Sequence, residues 1–160
     1  MKKKIIDSPH KFVSQLTTVD EFPSGGKYHN IGLADVQFII KLSDSDIQLF
    51  FQQLVKKEVL KIEFLNCKFE NTLWMNNSKN KTIFENTNFV FSRCSFQNLV
   101  LADFNYKGKF QFNFCCFEKK QYFHHATFEN DIEFFDCEFN ELVFFYKVQY
   151  PPLSHLHFLP

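Results

Sequence analysis

Large apolar residues recur at every fifth or sixth position through the second half of the chain. The phrase FSRCSF at 91–96 has close relatives at 64–69, 112–117, 123–128 and 134–139, each with Phe at both ends and a small residue at its fourth position. A helical apolar stripe recurs at three, four, seven and eight positions, so a five-residue step leaves the stripe. A plain strand alternates by two and loses phase over such steps.

A unit that contains one short extended piece and one corner fits these steps. Four units would close a square turn, and the next turn would stack on it in parallel. In each unit the second aromatic and the residue two places before it share a strand face, so both are predicted to point inward. Of the eleven residues at the earlier inward position, ten are apolar or small, and Gln121 is the exception.

Four steps cover 21 or 22 residues, so the period predicts four columns of stacked side chains. The columns are Phe91, Phe112 and Phe134; Phe96, Phe117 and Phe139; Leu101, Phe123 and Phe145; and Tyr106 and Phe128.

This pattern resembles that of the pentapeptide-repeat family, whose unit is a small residue, a polar residue, Leu or Phe, and two variable positions. The resemblance covers about residues 62–147 and implies an all-β solenoid, a right-handed quadrilateral β-helix of about four coils. The six-residue steps depart from the family unit and predict an extra residue at alternate corners. Near the start, Trp74 is expected to point inward, and the phase breaks at 76–81, interpreted as a loop, before it resumes at Phe84.

We expect a small α/β cap before the repeats, which divides the chain into an N-terminal segment with a capping helix at 1–58, a β-helix at 59–147 and a tail at 148–160. Ser43 and Asp46, followed by a periodic apolar run, predict an N-capped helix over about 45–57.

The remaining terminal stretches have weaker signals. Residues 35–42 are predicted as a strand, and residues 8–34 contain Pro and Gly and are predicted to be loop-rich. Pro151 and Pro152 are expected to stop the coil, which leaves 153–160 as a short apolar tail.

Composition narrows the choice of environment and partner. The chain has 160 residues, with 18 basic and 18 acidic side chains, so no overall field attracts nucleic acid or an anionic membrane. No apolar run approaches the roughly 18 residues of a membrane span, and no secretory signal is recognisable. Five cysteines without a CxxC spacing are interpreted as reduced thiols in a cytoplasmic protein.

Cysteine and histidine provide the candidate chemistry. Cys94, Cys115 and Cys137 are predicted to stack in one inward column beneath Thr72, either as a metal or redox ladder or, more simply, as small apolar filler. Cys116 alone is expected to point outward as a candidate reactive thiol.

Two histidine pairs leave metal binding open. His124 and His125 fall at outward positions, and His155 and His157 would lie on one side of a strand. His124 and His125 are read more simply as plain surface, and the two ligands of the His155 and His157 pair do not by themselves make a zinc site.

A run of six acidic residues near the end of the repeats is the candidate interaction surface. All six are predicted to point outward, and the bases Lys107, Lys109, Lys119 and Lys120 precede them. The acidic residues are Glu129, Asp131, Glu133, Asp136, Glu138 and Glu141.

The sequence contains no recognisable catalytic or cofactor-binding motif, so we expect a non-enzymatic protein-binding scaffold without a cofactor. Its partner is an unidentified protein, and direct binding to nucleic acid is not expected. An assembly module that stacks end to end, including a homodimer through a coil end, is the main alternative. The family resemblance also implies a DNA-mimic binder of DNA gyrase as a further alternative.

Overall fold

The structure is a computed structural model that describes residues 2–19, 27–31, 36–55, 59–75, 85, 87–150 and 156–159. This part of the chain is mostly β-strand. Its two helices are α1 (Pro9–Val13) and α2 (Asp44–Val55). The strands are β1 (Lys2–Ile6), β2 (Leu16–Val19), β3 (Lys27–Ile31), β4 (Val36–Ile40), β5 (Val59–Leu65), β6 (Cys67–Trp74), β7 (Asn88–Ser92), β8 (Ser95–Ala102), β9 (Asn105–Tyr106), β10 (Phe110–Asn113), β11 (Cys116–Phe117), β12 (Gln121–His124), β13 (Thr127–Phe128), β14 (Ile132–Phe135), β15 (Glu138–Phe139), β16 (Val143–Tyr146) and β17 (Leu156–Leu159).

The strands form three sheets in which neighbours run parallel, except for the antiparallel pair β2 and β3. A seven-stranded sheet has the order β17-β14-β10-β7-β5-β3-β2. An eight-stranded sheet has the path β1-β4-β6-β8-β11-β15, and β12 joins it through β8 and carries β16. Among the described residues, the third sheet consists of β9 and β13.

The strand registers confirm all four predicted columns. Phe112 pairs with Phe91 and Phe134, and Phe117 pairs with Phe96 and Phe139. The third and fourth columns follow from the pairs of Phe123 with Leu101 and Phe145, and of Tyr106 with Phe128.

Ring stacking follows the hydrogen-bonded spacing of the sheets. The centroids of Phe91 and Phe112 are 5.1 Å apart with planes 5° from parallel, and those of Phe112 and Phe134 are 4.9 Å and 8° apart. Parallel strands lie about 4.7–4.9 Å apart, so identical side chains in register must stack at that distance. Between columns the rings meet edge to face, as Phe91 and Phe96 do at 5.3 Å and 74°. The core therefore consists largely of stacked phenyl rings.

The chain turns between strands in two ways. At many five-residue steps one residue takes a left-handed conformation; these residues are Asn66, Arg93, Asp103, Phe114, His125, Asp136 and Lys147. The six-residue steps use the predicted extra residue, and side-chain amides bond the backbone there, as Asn130 does to the Lys107 carbonyl oxygen at 2.5 Å. One such turn passes so close to Thr87 that a Cβ on Gly108 would lie 1.9 Å from the Thr87 carbonyl oxygen.

Gln121, the polar exception among the inward positions, has a backbone role. Its side chain is fully buried, and its Oε1 accepts a 2.6 Å hydrogen bond from the Leu99 amide. Its Nε2 donates to the Lys119 carbonyl oxygen. A buried amide is tolerated because both its polar atoms have partners.

The inward positions predicted for the region around Trp74 were wrong by one residue. The register between β6 and β8 shifts between Phe69 and Thr72, which adds a residue to this step. As a result Leu73 and Met75 are buried, whereas Trp74 is half-buried. The predicted loop at 76–81 and Phe84 lie outside the described residues.

The N-terminal predictions were partly right. The strand predicted at 35–42 is β4, and the helix predicted at 45–57 is α2. Ser43 Oγ accepts from the Asp46 amide at 3.3 Å, and Asp46 Oδ2 accepts from the Ser43 amide at 3.4 Å, which is the predicted N-terminal capping arrangement.

The prediction of a loop-rich 8–34 was wrong for the residues described there, most of which belong to α1, β2 and β3. Ser8 caps α1, and Pro9 begins the helix where its missing amide proton costs nothing. Strands β3 and β4 pair with β5 and β6, so both larger sheets continue into the segment before residue 59. Phe50 and Phe51 of α2 are buried, and Phe12 stacks on Phe50 at 4.2 Å and contacts Phe64 at 5.9 Å.

The C-terminal tail is also more ordered than predicted. Leu156–Leu159 forms β17, which pairs with β14. Phe158 stacks on Phe134 at 5.0 Å and so extends the first column beyond Pro151 and Pro152. The sequence missed this because Phe158 follows Phe134 by 24 residues, whereas the period is 21 or 22.

Candidate functional site

The six acidic residues of the predicted interaction surface are distributed around the molecule. Glu133 lies on β14 in the seven-stranded sheet and Glu138 on β15 in the eight-stranded sheet, while Glu129, Asp131, Asp136 and Glu141 lie at turns. None of the six is buried, which agrees with their predicted outward positions.

Lysines that precede the acidic run neutralise part of it. Lys109 Nζ lies 2.6 Å from Glu133 Oε1, and Lys119 Nζ lies 3.4 Å from Glu141 Oε1. Partial burial raises the pKa of Glu133, but hydrogen bonds from Lys109 and Gln111 outweigh this and hold the pKa below its ordinary value. The acidic set is therefore divided between two sheets and partly paired.

The cysteine column forms as predicted, except at its first position. Cys94 and Cys115 are buried and Cys137 is half-buried. The residue before them is Cys67 and not Thr72, because Lys68 pairs with Ser95 while Thr72 pairs with Asn98. The prediction assumed that the chain comes back to this column after one regular period. The segment between β6 and β7 is longer than a regular step, so the residue one turn before Cys94 lies further back in the sequence.

The thiols of the column donate to backbone oxygens on β5, β7 and β10 of the seven-stranded sheet. Cys94 Sγ lies 3.2 Å from the Phe64 oxygen, Cys115 Sγ 3.3 Å from the Phe91 oxygen and Cys137 Sγ 3.2 Å from the Phe112 oxygen. Burial raises the pKa of both Cys94 and Cys115, which keeps them protonated. None of the five cysteines, all of which are described, forms a disulfide. Protonated thiols bonded to carbonyl oxygens favour the filler interpretation over a metal ladder.

Cys116 is half-buried on the outer side of β11, near the predicted outward position. Burial raises the pKa of its thiol, and the carboxylates of Glu138 and Glu118 raise it further. A reactive cysteine needs the opposite shift, so Cys116 lacks an activating environment.

A ladder of apolar side chains lies on the outer face of β6, β8, β12 and β16. Trp74 pairs with Val100, Val100 with Tyr122 and Tyr122 with Phe144. The rings of Tyr122 and Phe144 stack at 5.2 Å with planes 8° apart, and both remain more than one-third exposed, whereas Trp74 is half-buried and Val100 is buried. We call these four residues the aromatic face.

An open cleft of about 320 Å³ lies along the aromatic face. Trp74, Val100 and Tyr122 provide its apolar wall, and Thr72, Asn98 and His124 provide polar groups at its edges. The repeat pattern did not reveal this site because it concerns inward positions. In the sequence, this site is marked by Val100, Tyr122 and Phe144. They lie one period apart and are apolar at positions where polar side chains are usual.

His124 and His125 are close to a third polar group that the sequence did not indicate. Asp103 lies one period before His125, and His125 Nδ1 is 3.3 Å from Asp103 Oδ1. The rings of His124 and His125 are 5.8 Å apart. His155 lies outside the described residues, and so does the side chain of His157.

Among the described residues, no helix is both long and apolar enough to cross a membrane. The chain matches no family model, and comparisons with curated proteins and with solved structures find no significant match.

Proposed function

We propose that this chain is a non-enzymatic protein-binding scaffold that binds a partner protein through the aromatic face. Its framework is a right-handed quadrilateral β-helix of about four coils with a small α/β N-terminal cap, as in pentapeptide-repeat proteins.

The framework part of the proposal is supported by the strand registers. The seven-stranded sheet contains β5, β7, β10 and β14 as successive parallel neighbours, which supports one strand for each of four proposed coils, and β3 and β17 continue the parallel stack at its two ends. Between two such neighbours the chain visits the eight-stranded sheet and, from β7 onward, the β9–β13 sheet before it returns. Right-handed crossovers are expected, because parallel strand connections have that hand in about 98% of cases. Helices α1 and α2 place Phe12 and Phe50 at the first end of the Phe64 column, where a cap is needed.

The observation that carries the functional proposal is the composition of the aromatic face. The outward positions at the centres of β10 and β14 are Gln111 and Glu133, which pair with each other, whereas the corresponding positions of β12 and β16 are Tyr122 and Phe144. Exposed rings in contact with water cost free energy, and a contiguous apolar patch with a polar rim is typical of an interaction site.

A protein is the partner class that fits this face best. Trp and Tyr are enriched among the residues that contribute most to protein association, because they bury a large area with few rotatable bonds. The cleft is open rather than enclosed, which suits an apolar side chain inserted by a macromolecule. The formal net charge of zero gives no attraction for a nucleic acid backbone.

Two outward rings of equal exposure make a matched test. Phe144 on the aromatic face and Phe135 on β14 are each 39% exposed. The full chain, Tyr122→Ser, Phe144→Ser and Phe135→Ser are each immobilised and incubated with lysate of the source organism, and the retained proteins are quantified by mass spectrometry. A partner purified from that set is then titrated against all four chains.

We expect Phe135→Ser to bind the partner as the unmodified chain does, and Tyr122→Ser and Phe144→Ser to bind at least about tenfold more weakly. Unchanged circular dichroism of the variants establishes that the fold is intact. Equal affinity of all four chains, or equal loss in Phe135→Ser, contradicts binding through the aromatic face.

End-to-end assembly is the second candidate, and it is favoured by one observation. Phe145 is 41% exposed although Phe123, its partner in the same inward column, is fully buried. Within the described residues β16 pairs with β12 only. A second copy that covered this end would bury Phe145 and pair β16.

Variants of two adjacent residues distinguish end-to-end assembly from binding through the aromatic face. Phe145→Glu should abolish a dimer detected by sedimentation equilibrium, whereas Phe144→Glu, with an outward side chain, should preserve it. A monomeric unmodified chain at high concentration contradicts end-to-end assembly. A DNA-mimic role receives no such support, because lysines neutralise Glu133 and Glu141 and the acidic run does not form one strip.

A further inference from the structure

We propose that Asp103, His124 and His125 form a binding site for a divalent transition-metal ion, with Zn²⁺ as the expected occupant. One ligand atom from each of the three residues lies within 4.8 Å of the other two. Two imidazoles and one carboxylate are a donor set that Zn²⁺ uses in proteins.

The backbone brings together three side chains that an ordinary strand would separate. Successive residues of a strand point to opposite faces, so His124 and His125 should diverge. His125 instead has a left-handed φ of 49°, and this turns its side chain toward the side on which His124 projects. Asp103 has a φ of 52° and is stacked before His125 at the same turn. Its amide donates to the His124 carbonyl oxygen at 3.0 Å, which ties the two turns together.

The separation of the His125 and Asp103 ligand atoms fits a tetrahedral ion. Zinc bonds to nitrogen and oxygen of about 2.0–2.1 Å place neighbouring ligand atoms about 3.3–3.4 Å apart. His125 Nδ1 and Asp103 Oδ1 are 3.3 Å apart. His125 is exposed and His124 is half-buried, and the ligand atom of His124 already lies within 4.8 Å of the other two, so a small rotation of its side chain brings it to the same distance.

Three protein ligands leave one position of a tetrahedral site for water or for a ligand atom from elsewhere. The neighbourhood of the cluster suits this arrangement. His124 also contributes to the polar edge of the cleft, and Tyr146 lies beside His125 with ring centroids 5.3 Å apart. Lys147 follows in the same turn column, but its Nζ lies over the Tyr146 ring at 5.2 Å.

An ion pair between Asp103 and a protonated His125 is the simpler alternative. Such a pair would bring Asp103 and His125 together without involving His124. Zinc binding requires all three residues, so a variant of His124 distinguishes the zinc site from the ion pair.

Zinc is titrated by calorimetry into the tag-free full chain at neutral pH, in parallel with Asp103→Asn, His124→Gln and His125→Asn. Asn tolerates the left-handed conformation, so both turn variants keep the backbone geometry while they lose a ligand. We expect one equivalent of Zn²⁺ in the unmodified chain and affinity lower by at least about tenfold in each variant.

His10→Ala removes an exposed histidine from α1, and Cys116→Ser removes the accessible thiol. Both should bind zinc as the unmodified chain does. The Co²⁺-loaded chain should show d–d absorption without the intense near-ultraviolet band of cobalt–thiolate bonds.

Three results overturn the proposal: no stoichiometric zinc uptake by the unmodified chain, uptake that survives in His124→Gln, or a thiolate band in the cobalt spectrum. Circular dichroism and melting temperature measured without zinc identify any variant that fails to fold. If one fails, the remaining two variants and the cobalt spectrum still decide.

Discussion

Phe117 and Phe139 stack with ring centroids 4.6 Å apart and planes 4° from parallel. Phe117 also stacks on Phe96 at 5.1 Å, so its ring lies between two others. Each pair joins residues one period apart in the chain, and the same backbone ladder that sets the strand spacing also sets the ring spacing. The stability of the core is therefore tied to the sequence period.

Phe117→Ala should lower the free energy of unfolding by about 3–5 kcal/mol, because it removes a fully buried ring and leaves a cavity. Tyr122→Ala is the matched control, since Tyr122 is an outward ring on the next strand and is 36% exposed. Its expected cost is about 1 kcal/mol. Urea denaturation measures both, and equal costs would contradict the inward and outward positions.

Phe114 occupies a conformation that its side chain disfavours, so Phe114→Asn should stabilise the protein. Its φ is 55°, and its side chain is 52% exposed. A left-handed residue with a bulky side chain costs roughly 1–2 kcal/mol, and Asn pays less. Asn66 already occupies the equivalent turn with a φ of 53°.

The expected gain for Phe114→Asn is about 1 kcal/mol, reduced by the lost edge contact between Phe114 and Phe135 at 5.3 Å. Phe114→Val should destabilise the protein, because a β-branched residue is still less suited to this φ. Thermal unfolding measures the two changes. The same melting temperature for Asn and Val variants would show that the turn conformation costs nothing.

The N-terminal segment should be needed for a monomeric protein. Removing residues 1–58 takes away β3 and β4, the partners of β5 and β6, together with the buried rings of α2. The fragment 59–160 would present unpaired strand edges with Ile62 and Phe64 behind them. We expect β-type circular dichroism together with self-association on size-exclusion chromatography.

Two adjacent helix residues refine this prediction in the full chain. Phe50 is fully buried and Leu49 is 48% exposed. Phe50→Ala should cost about 3–5 kcal/mol and Leu49→Ala about 0.5 kcal/mol or less. A monomeric fragment 59–160 with undiminished stability would mean that the segment is a separate module and not a cap.

The repeat period predicted the columns because every unit follows the same local rule: one large apolar side chain, such as Phe91, Phe112 or Phe134, points inward. The prediction failed where that rule is interrupted. An extra residue before Met75 shifts the register, and Phe158 continues a column 24 residues after Phe134 instead of 21 or 22.

The candidate sites were less predictable for a physical reason. The aromatic face depends on outward positions, which the repeat leaves variable. The group of Asp103, His124 and His125 requires both the stacking of turns one period apart and a left-handed residue that redirects His125. Neither condition is visible in a short stretch of sequence.

The last prediction concerns the pKa of Cys116, which burial raises first and the carboxylates of Glu138 and Glu118 raise further. A raised pKa means less thiolate at pH 8, so Cys116 should react with a thiol reagent more slowly in the native chain than after denaturation. Glu138→Gln removes one negative charge, lowers this pKa and should speed the native reaction roughly two- to fivefold. The gain should shrink in high salt and vanish above the pKa, where both chains are fully thiolate.

Glu129→Gln, which removes a charge at another turn, is the control and should leave the rate unchanged. Mass spectrometry should find Cys67, Cys94 and Cys115 unmodified until denaturation. Faster labelling of Cys94 than of Cys116 would instead show that the cysteine column is open to solvent.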